Sequence, residues 1–127
     1  MKPSDHLDEF ERLIVESRVV KASLTKERRI RRFEAYIKVR LILIDDSVLD
    51  VTEYIQATEE DNAQVKRYSF HWMDTSSQLI IRWDNVRHYP NLPNFPYHRH
   101  DSDEKNVLPS EPMTLFKVLD IIATRLK

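Results

Sequence analysis

The sequence contains no cysteine and no glycine. The absence of cysteine excludes disulfide bonds, thiolate metal sites and a cysteine nucleophile. The absence of glycine excludes phosphate-binding loops of the Walker and dinucleotide types, because those loops need glycine where the backbone approaches the ligand. Tight turns must therefore rely on aspartate, serine and asparagine.

Long apolar runs are also missing. No segment approaches the roughly 20 apolar residues that a membrane span needs, and Met1–His6 lacks the apolar core of a signal peptide. We therefore expect a cytoplasmic protein without a membrane partner. A hydrophobic share of 41% and a charged share of 32% are typical of a folded chain. The length predicts a single α+β domain over residues 1–127.

The net charge of −1 argues against a protein that coats nucleic acid non-specifically. The cations are nevertheless clustered, since residues 26–32 hold five cations and one anion. We call this segment the basic hairpin, and its candidate binding residues are Arg28, Arg29, Arg31 and Arg32. It either binds phosphates or an acidic partner segment, or is a solvated hairpin end.

Apolar periodicity predicts a helix at each end of the chain and strands between them. A helix capped by Ser4 runs to about residue 16, and Thr114 caps a second one near the C-terminus. Residues 18–30 alternate as a strand does, with continued helix as the alternative. Four further strands are predicted at residues 33–44, 48–56, 65–74 and 78–85. The fold class is α+β, an antiparallel meander of four to five strands with the N-terminal and C-terminal helices packed on one face.

The first hairpin decides which residues face the core. A three-residue loop, 45–47, places Leu43 opposite Leu49 and keeps the apolar faces together. Glu53 then falls on the apolar face, where a buried carboxylate is a sign of function. We expect instead that Glu53 lies near a sheet edge or pairs with a cation such as Arg18 or Lys21.

The second hairpin separates an aromatic face from a charged one. Its register places Phe70 opposite Trp83, and we expect these rings in the core rather than stacked on bases. On the other face, His71 lies directly across from Arg82. The charged face holds Arg67, His71, Arg82 and Asp84. Arginines can hold a phosphate while a histidine moves a proton, although a solvated, salt-bridged sheet face is an equally good interpretation.

Three prolines make residues 88–101, the proline-rich segment, a stiff extended connection. Its candidate site residues are His88, Tyr97, His98, Arg99, His100 and Asp101. Imidazoles two positions apart on an extended segment point the same way, and a carboxylate could complete a divalent-metal site. The alternatives are a metal-free functional cluster and surface side chains that cap loop carbonyls.

The charged face and the proline-rich segment together suit the cleavage of RNA without a metal. Such a reaction needs a base, an acid and a cation that stabilises the pentacovalent phosphorane. We take His98 or His100 as the base or acid, and Arg82 as the phosphate stabiliser. The catalytic set, with no metal and no cofactor, is His71, Arg82, Asp84, His98, His100 and Asp101. The hypothesis gains weight if the proline-rich segment folds over the charged face and brings His98 or His100 close to Arg82.

Several short motifs stand in the second half of the chain, namely Phe70–Asp74, Arg82–Asn85, His88, Pro90, Leu92–Pro93, Phe95–Pro96, His98, His100 and Pro109–Pro112. With these motifs the chain resembles the TumE-type family, a set of small prokaryotic proteins described as toxins of toxin–antitoxin pairs and formerly as a domain of unknown function. The resemblance covers residue 33 to the end. Asp46–Ser47 and Ser76–Ser77 stand where such proteins usually have glycines in their hairpin turns.

The resemblance implies a toxin that is encoded beside an antitoxin, which in such pairs is often a small helix-turn-helix DNA-binding protein. It does not supply a mechanism, because fold and family do not fix chemistry. Our favoured hypothesis is a metal-independent ribonuclease, with RNA as a candidate partner. The alternative is a non-enzymatic protein-binding module that engages a partner through the proline-rich segment and the basic hairpin. A toxin that transfers a group has no nucleotide-binding motif to support it, and an oligomer is compatible with the sequence.

Overall fold

The computed structural model describes residues 1–126, and in these residues it shows two helices and a seven-stranded antiparallel sheet. The strands follow one another across the sheet in chain order. The elements are α1 (Pro3–Glu16), β1 (Val20–Ile30), β2 (Glu34–Leu43), β3 (Val48–Gln56), β4 (Gln64–Met73), β5 (Leu79–Asp84), β6 (His98–Asp101), β7 (Val107–Pro109) and α2 (Leu115–Arg125). The predicted α+β class and the meander are confirmed, and the ambiguous segment 18–30 forms a strand.

The predicted number of four to five strands is wrong, because β6 and β7 extend the sheet to seven. Strand β6 lies within the proline-rich segment, which we had predicted to be a connection throughout. The last proline of that segment is Pro96, and from His98 onward each backbone can donate a ladder hydrogen bond. Strand β6 therefore pairs with β5, with His98 opposite Asp84. Strand β7 is short and ends in Pro109, which protects this edge of the sheet from further pairing.

The register of the first hairpin differs from the predicted one. Leu49 pairs with Leu41 rather than with Leu43. The backbone N–H of Leu43 donates to the carbonyl of Ser47 (2.9 Å), so the three-residue loop is 44–46, one residue earlier than predicted. A shift of one residue in the loop moves the pairing by two, which leaves every side chain on its predicted face. The second hairpin has the predicted register, with Phe70 opposite Trp83 and His71 opposite Arg82.

The turns confirm that other residues replace glycine. Four residues have a positive φ, at 70°, 62°, 63° and 65°, and they are Asp46, Ser77, Asn94 and Ser102 respectively. The short polar side chains of aspartate and asparagine tolerate this left-handed conformation better than most residues do.

Both helices cover the same side of the sheet, which we call the inner face. The aromatic residues predicted for the core are buried there, and Phe70 is fully buried. Helix α1 contributes Leu7 and Phe10 to the same cluster, and α2 contributes Val118 and Ile122. The amphipathic stripes of the two helices and the alternation of the strands therefore meet in one core.

Glu53 is buried on the inner face, where the alternation of β3 predicted it, and only 3% of it is exposed. Its partner is His6 of α1 (Nε2 to Oε1, 2.8 Å). The predicted pairing with Arg18 or Lys21 is wrong, since α1 crosses the inner face above β3 and Lys21 pairs with Asp46.

The predicted N-terminal cap is wrong for α1 and correct for α2. Helix α1 begins at Pro3, before the predicted cap Ser4, and the carboxylate of Asp5 accepts the backbone N–H of Lys2 (2.8 Å). Thr114 caps α2 as predicted, because its hydroxyl accepts the backbone N–H of Lys117 (3.2 Å). Within residues 1–126, both helices fall short of the length and hydropathy that crossing a bilayer requires.

We predict that Phe70→Ala lowers the free energy of unfolding by about 3–5 kcal/mol, because a large cavity is left in a closely packed core. Leu24→Ala is the matched control, since this side chain is 60% exposed on β1. It should change the free energy by less than about 0.5 kcal/mol. Urea unfolding of the two variants measures both values, and equal losses would contradict the assignment of the core.

Candidate functional site

Five polar side chains form a row across five strands on the outer face, the side of the sheet that the helices leave uncovered. Each residue is directly opposite the next in the register of the sheet. From β2 to β6 the row, which we call the polar row, consists of Arg40, Asp50, His71, Arg82 and His100. Because neighbouring strands lie about 5 Å apart, each of these residues is an immediate neighbour of the next one in the row.

A buried ion pair stands beside the polar row. The Nε2 atom of His98 lies 2.9 Å from Oδ1 of Asp84, and both side chains are nearly inaccessible to solvent. The Nδ1 atom of His98 faces the carbonyl of Pro96 at 2.9 Å. Both nitrogens of the imidazole face acceptors, so the doubly protonated form of His98 can donate to each and act as the cation paired with the Asp84 carboxylate.

His100 has the opposite arrangement of donors and acceptors. Its Nδ1 atom faces the carbonyl of Glu104 (2.8 Å) and therefore donates to it. Its Nε2 atom lies 3.1 Å from a guanidinium nitrogen of Arg82, which is always a donor. His100 is therefore a neutral imidazole that accepts a hydrogen bond from Arg82.

The guanidinium of Arg82 is held by three groups at once. It donates to His100, to the carboxylate of Asp84 (Nε to Oδ2, 3.2 Å) and to that of Glu104 (3.0 Å). Only 28% of the Arg82 side chain is exposed. Charge-assisted bonds of this kind fix the orientation of the planar group, so one cation is presented on the outer face in a defined position.

The connection between β5 and β6 folds over this cluster. The ring of Tyr89 lies edge-on to His98 and His100, with ring centroids 5.0 and 6.1 Å apart. The two histidines are only 3% and 2% exposed as a result. The proline-rich segment thus covers part of the charged face and places His100 against Arg82, which is the arrangement that the hypothesis of RNA cleavage requires.

His71 is the imidazole of the polar row that solvent reaches, since it is only half-buried. Burial lowers the pKa of His71 below its usual 6.5, and the positive charge of Arg82 lowers it further. On its other side, two hydrogen bonds of 2.8 Å from Arg40 lower the pKa of Asp50. Near neutral pH the row therefore presents a neutral imidazole between a carboxylate and a guanidinium.

The structure brings five of the six predicted catalytic residues together. They are His71, Arg82, Asp84, His98 and His100. Asp101 is separate, because it pairs with Ile81 and points to the inner face, where it accepts a hydrogen bond from Ser102 (3.0 Å). The reason is the alternation of β6, which sends successive side chains to opposite faces.

The predicted binding residues of the proline-rich segment lie apart from the cluster. Tyr97 and Arg99 share the inner side of the strand with Asp101, and Arg99 donates to the carbonyl of Pro109 (2.7 Å). His88 is exposed and lies edge-on to Tyr89 at 6.2 Å. Arg67 remains on the outer face, where its guanidinium lies over the ring of Tyr54 at 4.9 Å.

The basic hairpin lies at the far edge of the sheet, where β1 is exposed over almost all of its length. Each of its four arginines has a carboxylate within 4 Å. The pairs are Arg28 with Glu11, Arg29 with Glu27, Arg31 with Glu34, and Arg32 with Glu59. Charged side chains on an edge strand also oppose pairing with another chain, so the cations have a structural use whether or not they bind a ligand.

Sequence reasoning missed four members of this surface. Arg40 and Asp50 were overlooked because the predicted register of the first hairpin did not set them opposite each other. Glu104 holds Arg82 from a loop, and its acidic segment gave no sign of that contact. Tyr89 covers the two histidines, and its position between His88 and Pro90 is the feature of the sequence that could have indicated a role for it.

One group of side chains could hold a metal ion. Asp84, His98 and His100 each offer one ligand atom, and these atoms lie within 4.8 Å of one another. Both imidazoles donate Nδ1–H to backbone carbonyls, as metal-ligating histidines commonly do. The guanidinium of Arg82 already contacts Asp84 and His100, however, so a divalent cation would have to displace a positive charge from the same place.

Comparison with known proteins places the chain in a family. A family model described as Toxin TumE matches residues 9–126, which is nearly the whole chain. The resemblance seen in the motifs is thereby confirmed, and it extends into α1. No curated protein and no solved structure matches the chain.

We predict that the proton resonances of His71 titrate with a midpoint below 6.5. Arg82→Gln should raise this midpoint, because the substitution removes a cation that disfavours the imidazolium form. NMR titration of the imidazole measures both values. Arg99→Gln, which removes a cation from the inner face, is the control and should leave the midpoint unchanged. An unchanged midpoint in Arg82→Gln would contradict the electrostatic account of the row.

We also predict that Asp84→Asn lowers the free energy of unfolding by about 3–5 kcal/mol, because it leaves the His98 cation buried without a counter-charge. Asp101→Asn removes a carboxylate from the next strand but outside the cluster. This control should lower the free energy of unfolding by less than about 1 kcal/mol. Chemical denaturation measures the free energy of unfolding of both variants. Equal losses would contradict the claim that the buried pair contributes more to stability than a carboxylate outside the cluster.

Proposed function

The chain belongs to the TumE toxin family, and we propose that this toxin cleaves RNA with its own side chains and without a metal ion. Family membership also implies an antitoxin partner. The observation that carries the proposal is the polar row, which sets a neutral imidazole directly beside a fixed guanidinium on an open sheet face. These are the two groups that such a cleavage needs first.

His71 is assigned the role of general base. It is half-buried, so a ribose on the outer face can reach it. A lowered pKa keeps the imidazole neutral near pH 7, which is the form that accepts a proton. Asp50 lies on the far side of His71 and favours the imidazolium that forms once the proton is taken up.

Arg82 is assigned the role of phosphate stabiliser, as the sequence suggested. A planar guanidinium can donate to two phosphate oxygens at once. Its bonds to Asp84, Glu104 and His100 hold it in place before the substrate arrives. A donor that is fixed in advance stabilises the developing charge without having to reorganise during the reaction.

His98 and His100 are assigned as positioning residues. Their exposures of 3% and 2% keep both imidazoles away from a phosphate on the surface while Tyr89 covers them. His98 neutralises the Asp84 carboxylate, and His100 accepts from Arg82. Loss of either imidazole should therefore loosen the hold on Arg82, directly for His100 and through Asp84 for His98, even though neither touches the substrate.

The reaction is a transesterification within the RNA. The 2′ oxygen attacks the adjacent phosphorus as its proton passes to His71, and the bond from phosphorus to the 5′ oxygen breaks. The 5′ oxygen takes a proton from water, and His71 later returns its proton to solvent. The products are a 2′,3′-cyclic phosphate and a 5′-hydroxyl end. Because the nucleophile is the 2′ oxygen of the RNA itself, the reaction requires no metal-bound nucleophile.

Other cations line the same face and suit the RNA backbone. Lys38 and Arg67 lie on the outer side of β2 and β4, at positions of the same alternation that exposes His71. Ser69 lies between Arg67 and His71 on β4, and Thr52 lies opposite Lys38 on β3. Phosphate contacts of this type position a strand without reading its sequence.

A second candidate function is a non-enzymatic module that binds a protein through the basic hairpin and the proline-rich segment. The observation in its favour is the exposure of β1, a strand of 11 residues at the sheet edge with solvent on both sides. The charges of the basic hairpin oppose pairing with most chains, but an open edge of this kind can add a strand from a partner whose charges complement them. This candidate predicts no change in RNA.

Purified protein incubated with total RNA should produce fragments with 5′-hydroxyl ends in the presence and absence of a chelator. A polynucleotide kinase with labelled ATP detects these ends without prior phosphatase treatment. His71→Ala should slow cleavage by about 10²–10⁴-fold, and Arg82→Gln by about 10²–10³-fold. The rate in the unmodified protein should fall as the pH drops through the lowered pKa of His71, because the imidazole becomes protonated.

Lys117→Gln is the matched control, because it removes a cation from the exposed surface of α2 on the inner side of the sheet. It should cleave at the rate of the unmodified protein. RNA that stays intact both with and without the chelator would favour the binding module. Cleavage that stops with the chelator would instead point to a metal at Asp84, His98 and His100.

A further inference from the structure

A groove of about 540 Å³ opens between the two helices, on the inner side of the sheet and away from the polar row. Helix α1 forms one wall with Phe10 and Leu13, and the first turn of α2 forms the other with Phe116. Glu53 and Tyr68 contribute to the lining from the sheet. The helices thus cover the core but leave a gap at this end.

The groove combines apolar walls with negative charge. Phe116 is 64% exposed at the rim of the groove, so a large aromatic ring is available to a partner there. Glu53 is almost fully buried, and His6 contacts only one of its two carboxylate oxygens in the part of the chain that the structure describes. Glu9 adds a second carboxylate at the rim. Burial in apolar surroundings strengthens the attraction of Glu53 for a positive charge.

These features indicate which kind of ligand fits the groove. The lining holds two carboxylates, Glu9 and Glu53, and one basic side chain, His6, which is already paired with Glu53, so the groove does not suit a phosphate of RNA. The carboxylates favour a lysine or arginine, and the exposed aromatic ring favours an apolar side chain beside it. We infer that the groove binds a segment of the antitoxin that carries a basic residue next to an apolar one. This inference rests on family membership and not on the proposed cleavage of RNA.

The groove also touches the residues that position the outer face. Asn85 and Tyr97 line it, and they are the chain neighbours of Asp84 and His98. The side chain of Asn85 further ties β5 to β4, since it accepts the backbone N–H of Tyr68 (2.9 Å). A bound segment therefore contacts a chain neighbour of each partner of the buried ion pair, although it lies on the opposite side of the sheet.

The test is the affinity of the full-length toxin variants for the cognate antitoxin, measured by calorimetry. Phe116→Glu should weaken binding by about 30-fold or more, because it places a charge where an apolar anchor docks. Glu53→Gln should weaken it by about 10-fold or more, because it removes the counter-charge but keeps the shape of the side chain. Circular dichroism and thermal unfolding establish that each variant is folded.

Val15→Glu is the matched control, since Val15 is 84% exposed on α1 and outside the lining of the groove. It should bind the antitoxin as the unmodified toxin does. Replacement of each lysine and arginine of the antitoxin by alanine should identify one residue whose effect disappears in the Glu53→Gln background. Unchanged affinity in both groove variants overturns the inference, as does an equal loss in Val15→Glu. A toxin that dimerises without antitoxin, and becomes monomeric in Phe116→Glu, also overturns it in favour of a second copy.

Discussion

The buried carboxylate of Asp84 is the interaction on which the outer face depends. A charge in such a place is tolerated only when it is paired and hydrogen-bonded, and His98 and Arg82 supply the two cations that pair with it. The need to satisfy this carboxylate fixes where both cations lie. His100 and Glu104 then complete the shell of Arg82. A cation in a defined position therefore follows from the electrostatics of burial once the fold brings β6 beside β5.

One property of the strands supplies both the core and the site. Side chains alternate between the two faces, so the same register that pairs Phe70 with Trp83 inside pairs His71 with Arg82 outside. Large rings on the inner face keep the strands in register, because a slip of one residue would bury the charges and expose the rings. The core therefore fixes which residues stand opposite each other in the polar row, which a preorganised site requires.

The sequence predicted the parts of this structure that depend on local patterns. Alternation identified β2 to β5, and the second hairpin was predicted in its correct register, which already set His71 against Arg82. It could not identify β6, because prolines concealed a four-residue strand whose partner lies 14 positions earlier, at Asp84. It also assigned Asp101 rather than Asp84 to the histidines. The choice depends on strand pairing, and pairing is a long-range property that neither composition nor spacing contains.

The two faces of the sheet present opposite charge requirements, and this separation constrains how the toxin can be controlled. The outer face offers cations to a polyanion, whereas the groove between the helices offers carboxylates to a cation. With RNA on the outer face and the antitoxin in the groove, as proposed, the two ligands would not compete for the same groups. Control must then pass through the chain itself, and Asn85 and Tyr97 are the positions where the groove meets the strands that hold Asp84 and His98. A small displacement there would move the buried pair, because a packed ion pair has no room to adjust gradually.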